Sequence, residues 1–447
     1  KNINQNDHIN LSSQDNLKPK KMERSTFLKT LAGASVTTLG LSSFADPDFT
    51  KSVDPDVLPA HISGPAPDFT KIRDDFPRVK QEVYMDNAST HPINIYTAAA
   101  LHRYAEWAKN EVGEPWWPLY SDTRQECKNS FAKLINADND EISFARTTVE
   151  AENNILNGMD FKGGNVVTTD LHYSASLYSY KMREQRDGLK VKIIKHNDWR
   201  FDVKDFEKVI DKNTKLVAIT LVSNVNGFLV KDVKAISDLA HANGAVLYVD
   251  FIQGVGAVPV DVKAMGIDLA ACSTFKWLMG SKGFGFMYVR KDLQDTVVRT
   301  THHNGGISYN YAPWTDKIDP SKPEINFTPA KGPGIYEVSY PSYEGVSCAI
   351  ASLKYIHALG VDNIRNYVRT LTDRLAKEMP RLGYPTITPE GNESPIIVFT
   401  AKNPDETMKK LRAAKIHVAM RFGNKLRISP SIYNNQADID KLLDTLS

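Results

Sequence analysis

Residues Leu216–Val222 read Leu-Val-Ala-Ile-Thr-Leu-Val, apolar at successive positions rather than at alternate ones. Successive side chains of a strand point to opposite faces, so such a run is stable only where both faces are covered. A helix-periodic segment follows. Val233, Ile236, Leu239 and Ala240 fall on one face, and Gly244 provides the stop. The same alternation runs along the chain. Strands are expected at Glu141–Phe144, Asn165–Thr169, Val191–Lys195, Ala245–Val249, Leu269–Cys272 and Gly285–Val289, and a helix at Val149–Met159. Strand–helix–strand alternation predicts an α/β fold: a large domain with a mostly parallel sheet covered by helices. Beyond residue 341 the pattern changes to long helices (Val346–Leu359, Ile364–Met379), short strands and a last helix at Gln436–Leu446. This predicts a smaller C-terminal α+β domain over 341–447, after a large domain over 71–340.

With 447 residues, 41% of them hydrophobic, the chain can bury more than one core. Its 55 basic and 53 acidic side chains are balanced, which speaks against a nucleic-acid surface. Cys127, Cys272 and Cys348 are too few and too scattered for a disulfide framework or a zinc site, and no metal is expected. The adjacent His302 and His303 read as loop residues. Residues 1–45 read as a polar tail followed by an export signal. A basic flank, Met22-Glu-Arg-Ser-Thr-Phe-Leu-Lys29, precedes a weakly apolar run, Leu31–Leu41, and a small-x-small end, Ser43-Phe44-Ala45. That run is too short to span a bilayer. It resembles a twin-arginine signal, with Ser25 where the second arginine belongs, so the expectation is export, otherwise the cytoplasm. Residues 46–70, with five prolines, read as a linker.

In an open parallel sheet, ligands sit beyond the carboxyl ends of the strands. Asn224, Asp250 and Ser273 fall at such ends. A carboxylate closing a buried strand is costly unless something pairs with it, and a protonated pyridine nitrogen is such a partner. Gln253 could reach the same ligand from the following loop. Lys276 lies in Ala271-Cys-Ser-Thr-Phe-Lys-Trp-Leu-Met-Gly280. Its apolar flanks predict desolvation, a lowered pKa and a better nucleophile toward an aldehyde. Glycines 280, 283 and 285 allow a tight turn behind it. Each residue alone has a structural reading: a strand-end Asp can be a cap, and a Lys before a Gly-rich turn can be surface.

The order and spacing of five segments resemble the class V aminotransferase superfamily of fold-type-I pyridoxal-phosphate (PLP) enzymes. Among these are cysteine desulfurases, selenocysteine lyases and isopenicillin N epimerase-like proteins. The segments are Tyr84-Met-Asp-Asn-Ala-Ser-Thr-His-Pro92, Leu221-Val-Ser-Asn-Val-Asn-Gly227, Val249-Asp-Phe-Ile-Gln253, Ser273-Thr-Phe-Lys-Trp277 and Leu426-Arg-Ile-Ser-Pro-Ser-Ile-Tyr-Asn434. The resemblance spans about residues 80–440 and implies PLP as cofactor. Lys276 would carry its aldehyde and then shuttle the proton, with Asp250 on the pyridine nitrogen. Asn224 and Gln253 would lie near the ring oxygen. Thr147, Thr148 and Ser273 would hold the phosphate, and Tyr173 would stack on the ring, with His172 as the neighbouring alternative. Arg427 would clamp a substrate carboxylate; otherwise it is a strand-edge surface residue. A homodimer is also implied, with Tyr340 reaching a second copy's phosphate.

Several positions depart from the family. The desulfurases carry a nucleophilic Cys before the carboxylate Arg, whereas His417-Val-Ala-Met-Arg-Phe-Gly-Asn-Lys425 has none. Val149 replaces a Thr of the phosphate site, Phe275 replaces the His before the lysine, and Ser339-Tyr340 replaces a Gly-Thr pair. The expected function is therefore an epimerase- or aminotransferase-like PLP enzyme acting on an amino acid or small peptide. The alternatives are a C–S or C–Se lyase needing no protein thiol, and a non-catalytic relative. Trp116-Trp117, between prolines, reads as a packed corner or a substrate-facing loop.

Overall fold

The structure, a computed structural model, describes residues 53–64, 66–110, 116–300, 307–309, 327–329 and 331–447. The expected export signal and His302–His303 lie outside the described residues. Trp116 and Trp117 begin a helix, Trp116–Ile135, but their side chains lie outside the description.

The strands in chain order are β1 (Val83–Tyr84), β2 (Ile142–Ala145), β3 (Asn165–Thr169), β4 (Lys190–Ile194), β5 (Thr214–Thr220), β6 (Val246–Asp250), β7 (Leu269–Ser273) and β8 (Gly285–Val289), then β9 (Ile307–Tyr309), β10 (Phe327–Pro329), β11 (Ile397–Thr400), β12 (Ile416–His417), β13 (Ala419–Arg421) and β14 (Lys425–Ile428). The main sheet has seven strands in the order β2-β8-β7-β6-β5-β3-β4. The β3, β4, β5, β6 and β7 pairings are parallel, and β8 is antiparallel to both β7 and β2. The mostly parallel sheet expected from the sequence is thus present.

Both faces of the sheet are covered, as the successive apolar positions require. Val217, Ile219, Leu247, Val249, Ala270 and Phe286 point into one core. There they meet side chains of the helices Trp116–Ile135, Val233–Ala242 and Tyr343–Leu359, such as Phe131, Ile236 and Leu353. Leu216, Ala218, Tyr248, Leu269, Ala271 and Met287 point into the other, against Ile155 of helix Thr148–Gly158 and Tyr180 of helix Ser174–Asp187. Each fully buried large aliphatic side chain contributes about 1.5–3 kcal/mol.

A three-stranded antiparallel sheet, β11-β14-β13, follows in the C-terminal part. Ile397, Phe399 and Leu426 pack there on Leu371, Leu375, Leu411 and Leu442. Ile396 and Val398, the alternate residues, face the first core instead. The chain returns to this part from its beginning: β1 pairs in parallel with β12, and Asp86 bridges Ser429.

The reading of residues 46–70 as a linker needs correction for the described portion. Ile62 is fully buried, Arg103 pairs with Asp56 at 2.6 Å, and Lys354 Nζ donates to the Asp56 carbonyl. The prolines here separate short packed turns rather than a free tether. Their spacing carries no information about the apolar residues between them.

After β5 the chain turns at Asn224–Gly227. Gly227 has φ +80°, and a Cβ there would collide with the Ile396 carbonyl. Gly227→Ala is expected to cost about 2 kcal/mol or more from left-handed strain and overpacking together. Urea unfolding measures this, and a loss below a few tenths of a kcal/mol would contradict the packing described.

Candidate active site

The carboxyl ends of β5, β6 and β7 open onto a cavity of about 240 Å³. Its lining is Thr147, Thr148, Val149, Tyr173, Thr220, Asn224, Asp250, Ile252, Gln253, Ser273, Phe275 and Lys276. A larger, more open depression of about 580 Å³ lies elsewhere, edged by charged side chains such as Arg200, Lys204, Lys208 and Lys231. Size does not mark the site; the chemistry of the smaller cavity does.

Asp250 ends β6 with only 2% of its surface exposed. Its carboxylate accepts the Ile252 amide at 2.9 Å, and no cation lies within ion-pair distance among the described residues. Burial raises its pKa to about 6, against the field of His172. Lys276 follows β7 and lines the same cavity, also without an ion pair or hydrogen bond among the described residues. Burial brings its amine down to about 8; Asp250 opposes this and Arg427 adds to it. An anion and a cation thus face one cavity, each short of a direct partner. A ligand with a cationic ring nitrogen and an aldehyde supplies both partners. By this test the residues fit pyridoxal phosphate.

The far wall is the N-terminus of helix Thr148–Gly158. Thr147 caps it, accepting the Glu150 amide at 3.0 Å. Thr148 and Ser273 are locked together: Thr148 N donates to Ser273 Oγ at 2.8 Å, and Ser273 N donates to Thr148 Oγ1 at 2.9 Å. Two hydroxyls and a helix N-terminus therefore face the cavity, a setting that favours an anion. Val149 lies beside them.

The opposite wall depends on the loop after β1. Gln253 Nε2 donates to the Ala88 carbonyl at 2.9 Å, and Gln253 Oε1 accepts from Trp277 Nε1 at 2.9 Å. His91 N donates to the Phe275 carbonyl at 3.0 Å, and His91 Nε2 meets Ser431 Oγ at 2.8 Å. Asn87 Nδ2 donates to the Ser429 carbonyl at 2.8 Å and its oxygen accepts from Tyr433 at 2.6 Å. Residues 87–91 thus tie the lysine loop to the C-terminal strand–turn Leu426–Asn434.

Arg427 is 3% exposed on β14, the central strand of its sheet, so the strand-edge surface reading is corrected. It lies outside the cavity lining. Its guanidinium donates to Asp86 at 3.1 Å, to Ser89 Oγ at 2.6 Å and to the Asn224 carbonyl at 3.4 Å, and its Nε has no hydrogen-bond partner among the described residues. Tyr173 is 39% exposed and lines the cavity, whereas His172 is buried and is not part of the lining. Tyr340, 69% exposed, stands apart from this cavity in a shallow depression with Arg146, Glu150 and Ser339.

One buried group escaped the sequence reading. Glu152, 1% exposed, accepts from Ser176 Oγ and Tyr180 OH, and its Oε1 lies 3.5 Å from His172 Nε2. The contact with His172 is within ion-pair distance, but His172 Nε2 makes no hydrogen bond. Glu152 falls on the inward face of helix Thr148–Gly158, in phase with Thr148 and Ile155, and that periodicity was the one available clue.

A family model described as Aminotransferase class-V matches residues 83–442. A probable cysteine desulfurase of Methanothermobacter thermautotrophicus is 29% identical over 400 residues, which cover 84% of this chain and 96% of that protein. The apo structure of a cysteine desulfurase from Thermococcus onnurineus superposes with a TM-score of 0.74 at 24% identity, covering 84% of this chain and 96% of that one. A cystine C–S lyase in complex with its product, cysteine persulfide, gives a TM-score of 0.74 at 16% identity, over 83% and 98% of the two chains. These two likenesses carry the fold.

Only the neutral Lys276 amine attacks an aldehyde. Capture of PLP by apoprotein should therefore accelerate as pH rises through about 8 and then level off. Stopped-flow absorbance at the band of the bound cofactor reads this. A rate still climbing tenfold per unit toward the ordinary lysine range would refute the desolvated amine.

Proposed function

The chain belongs to the aminotransferase class-V family, and from that premise we propose that it is a carbon–sulfur lyase using PLP. On this reading it takes an α-amino acid with sulfur on its β carbon and releases that sulfur without passing it to a thiol of the protein. The observation that carries the reading is the state of the three cysteines. Cys127, Cys272 and Cys348 are buried, and burial pushes all three thiols above their ordinary range. The hairpin before Arg427, from His417 to Lys425, holds none of them. A chain similar to proteins named cysteine desulfurases thus has no thiol placed to receive sulfur, while elimination needs none.

Bound PLP supplies an electron sink conjugated to the substrate's α carbon. Asp250 would accept a hydrogen bond from the protonated ring nitrogen. Thr147, Thr148, Ser273 and the helix amides would receive the phosphate. Tyr173 would cover a ring face, and Asn224 and Gln253 would border the ring oxygen. Arg427 takes the substrate carboxylate, for which an Arg fork is suited. Lys276 Nζ removes the α proton. The Cβ–S bond breaks with its electron pair going to sulfur, and the Lys276 ammonium returns a proton to the leaving group. The three-carbon enamine that remains is released and hydrolyses to pyruvate and ammonia. Tyr340, outside the cavity of its own protomer, would complete the phosphate side of a second copy in a homodimer.

Holoenzyme given L-cystine or L-cysteine should form pyruvate in step with sulfide or persulfide. Lys276→Ala should lower the rate about a thousandfold or more. Exchange of the α proton with deuterated water, without pyruvate, would sink the lyase reading and restore the epimerase- or aminotransferase-like branch. A protein that stays colourless with excess PLP would leave the non-catalytic relative.

A further inference from the structure

Helix Ser174–Asp187 begins directly after Tyr173, the residue of this segment that lines the cavity. The helix is lightly held. Among the described residues Ser176 and Tyr180 are its only buried side chains, whereas Tyr178 and Met182 are 69% and 66% exposed. Leu177 adds a partly buried apolar contact, and Arg183 donates to Asn157. No side chain caps the start of the helix, and the Tyr173 phenol makes no hydrogen bond among the described residues. The place of the Tyr173 ring is therefore set by the backbone that carries it.

One carboxylate brackets that backbone. Ser176 Oγ donates to Glu152 Oε2, and Tyr180 OH donates to Glu152 Oε1. On the other side, the Tyr173 amide donates to His172 Nδ1 at 2.8 Å. A neutral imidazole that accepts at Nδ1 carries its proton on Nε2. His172 Nε2 lies 3.5 Å from Glu152 Oε1. Glu152 itself sits one turn after Thr148, whose two bonds with Ser273 fix the start of helix Thr148–Gly158 to β7. The carboxylate thus stands on a fixed part of the cavity wall and holds a lightly packed one. No lysine or arginine lies within ion-pair distance of it among the described residues, so hydroxyl donors compensate its burial. An apolar side chain of the same size would pack here without that cost. Hydrogen bonds add direction, which packing alone does not.

We propose that Glu152 is a positioning residue for Tyr173: it holds the helix that follows Tyr173 and the imidazole that precedes it, and so fixes the phenol ring against the cofactor ring in the cavity. This rests on the reading of Tyr173 as the residue that covers the cofactor, and not on the lyase branch. Glu152 is absent from the cavity lining and touches neither cofactor nor substrate. Its effect on the cofactor passes through Tyr173.

A double-mutant cycle on cofactor binding tests this without turnover. Full-length apoprotein is titrated with PLP in four forms: the natural protein, Glu152→Gln, Tyr173→Ala and the double variant. Affinity is read from the visible band of the bound cofactor, and the placement of its ring from the circular dichroism of that band. Each single variant should weaken PLP binding about tenfold, the scale of one charge-assisted contact, and diminish the dichroism. The double variant should bind no more weakly than Tyr173→Ala alone. Additive losses overturn the proposal, because Glu152 would then act by another route, such as the field it adds at Asp250. Natural affinity and dichroism in either single variant overturn it too. Should Glu152→Gln fail to fold, Tyr180→Phe, which removes one donor and keeps the carboxylate, takes its place in the cycle with the same expectation. A cycle that closes as expected while no sulfur amino acid yields pyruvate removes the lyase reading and leaves the positioning role standing.

Discussion

A carboxylate and an amine share one small cavity, and neither forms an ion pair among the described residues. Asp250 closes a buried strand and Lys276 follows the next one, so the sheet that buries them also places them. Burial pushes the two groups in opposite directions, the acid up and the base down. Neither shift would persist if the two met directly, because a salt bridge would restore both charges. The separation keeps the amine able to attack and the carboxylate in want of a cation. Most other features serve this arrangement: the locked Thr148–Ser273 pair on one wall, and the loop of residues 87–91 on the other.

That loop joins parts of the chain more than three hundred residues apart. Asn87 bonds Ser429 and Tyr433, His91 bonds Ser431, and Gln253 closes on Ala88. The C-terminal sheet is thereby held in register with the lysine loop. Arg427 depends on the same clip, since Asp86 and Ser89 receive its guanidinium. The clip thereby fixes Arg427 and the lysine loop relative to each other.

The three buried thiols contribute to packing, as free cysteines commonly do. The positions that depart from the family fall in three places: Val149 and Phe275 line the cavity, Ser339 and Tyr340 lie in a separate depression, and the hairpin from His417 to Lys425 precedes Arg427.

Much of the fold was legible because its signals are local. The both-faces-apolar run at Leu216–Val222 and the 3.6-residue pattern at Val233–Ala240 each follow from a few neighbouring residues, and both elements stand within two residues of where the pattern puts them. The strand-end positions Asn224, Asp250 and Ser273, and Lys276 on its Gly-backed turn, were legible for the same reason, and the tertiary structure brings them to one cavity. Pairing across distance was not legible. Nothing near Arg427 in the chain announces Asp86, nothing near Arg421 announces Ser89, and Glu152 resembles any helical glutamate until Ser176 and Tyr180 close on it. Prolines likewise suggested a linker where Ile62 is buried. The sequence by itself determined the periodicities, because backbone geometry converts spacing into faces. Only the tertiary structure decided which charges meet, because that depends on loop closure over hundreds of residues, and spacing does not encode it.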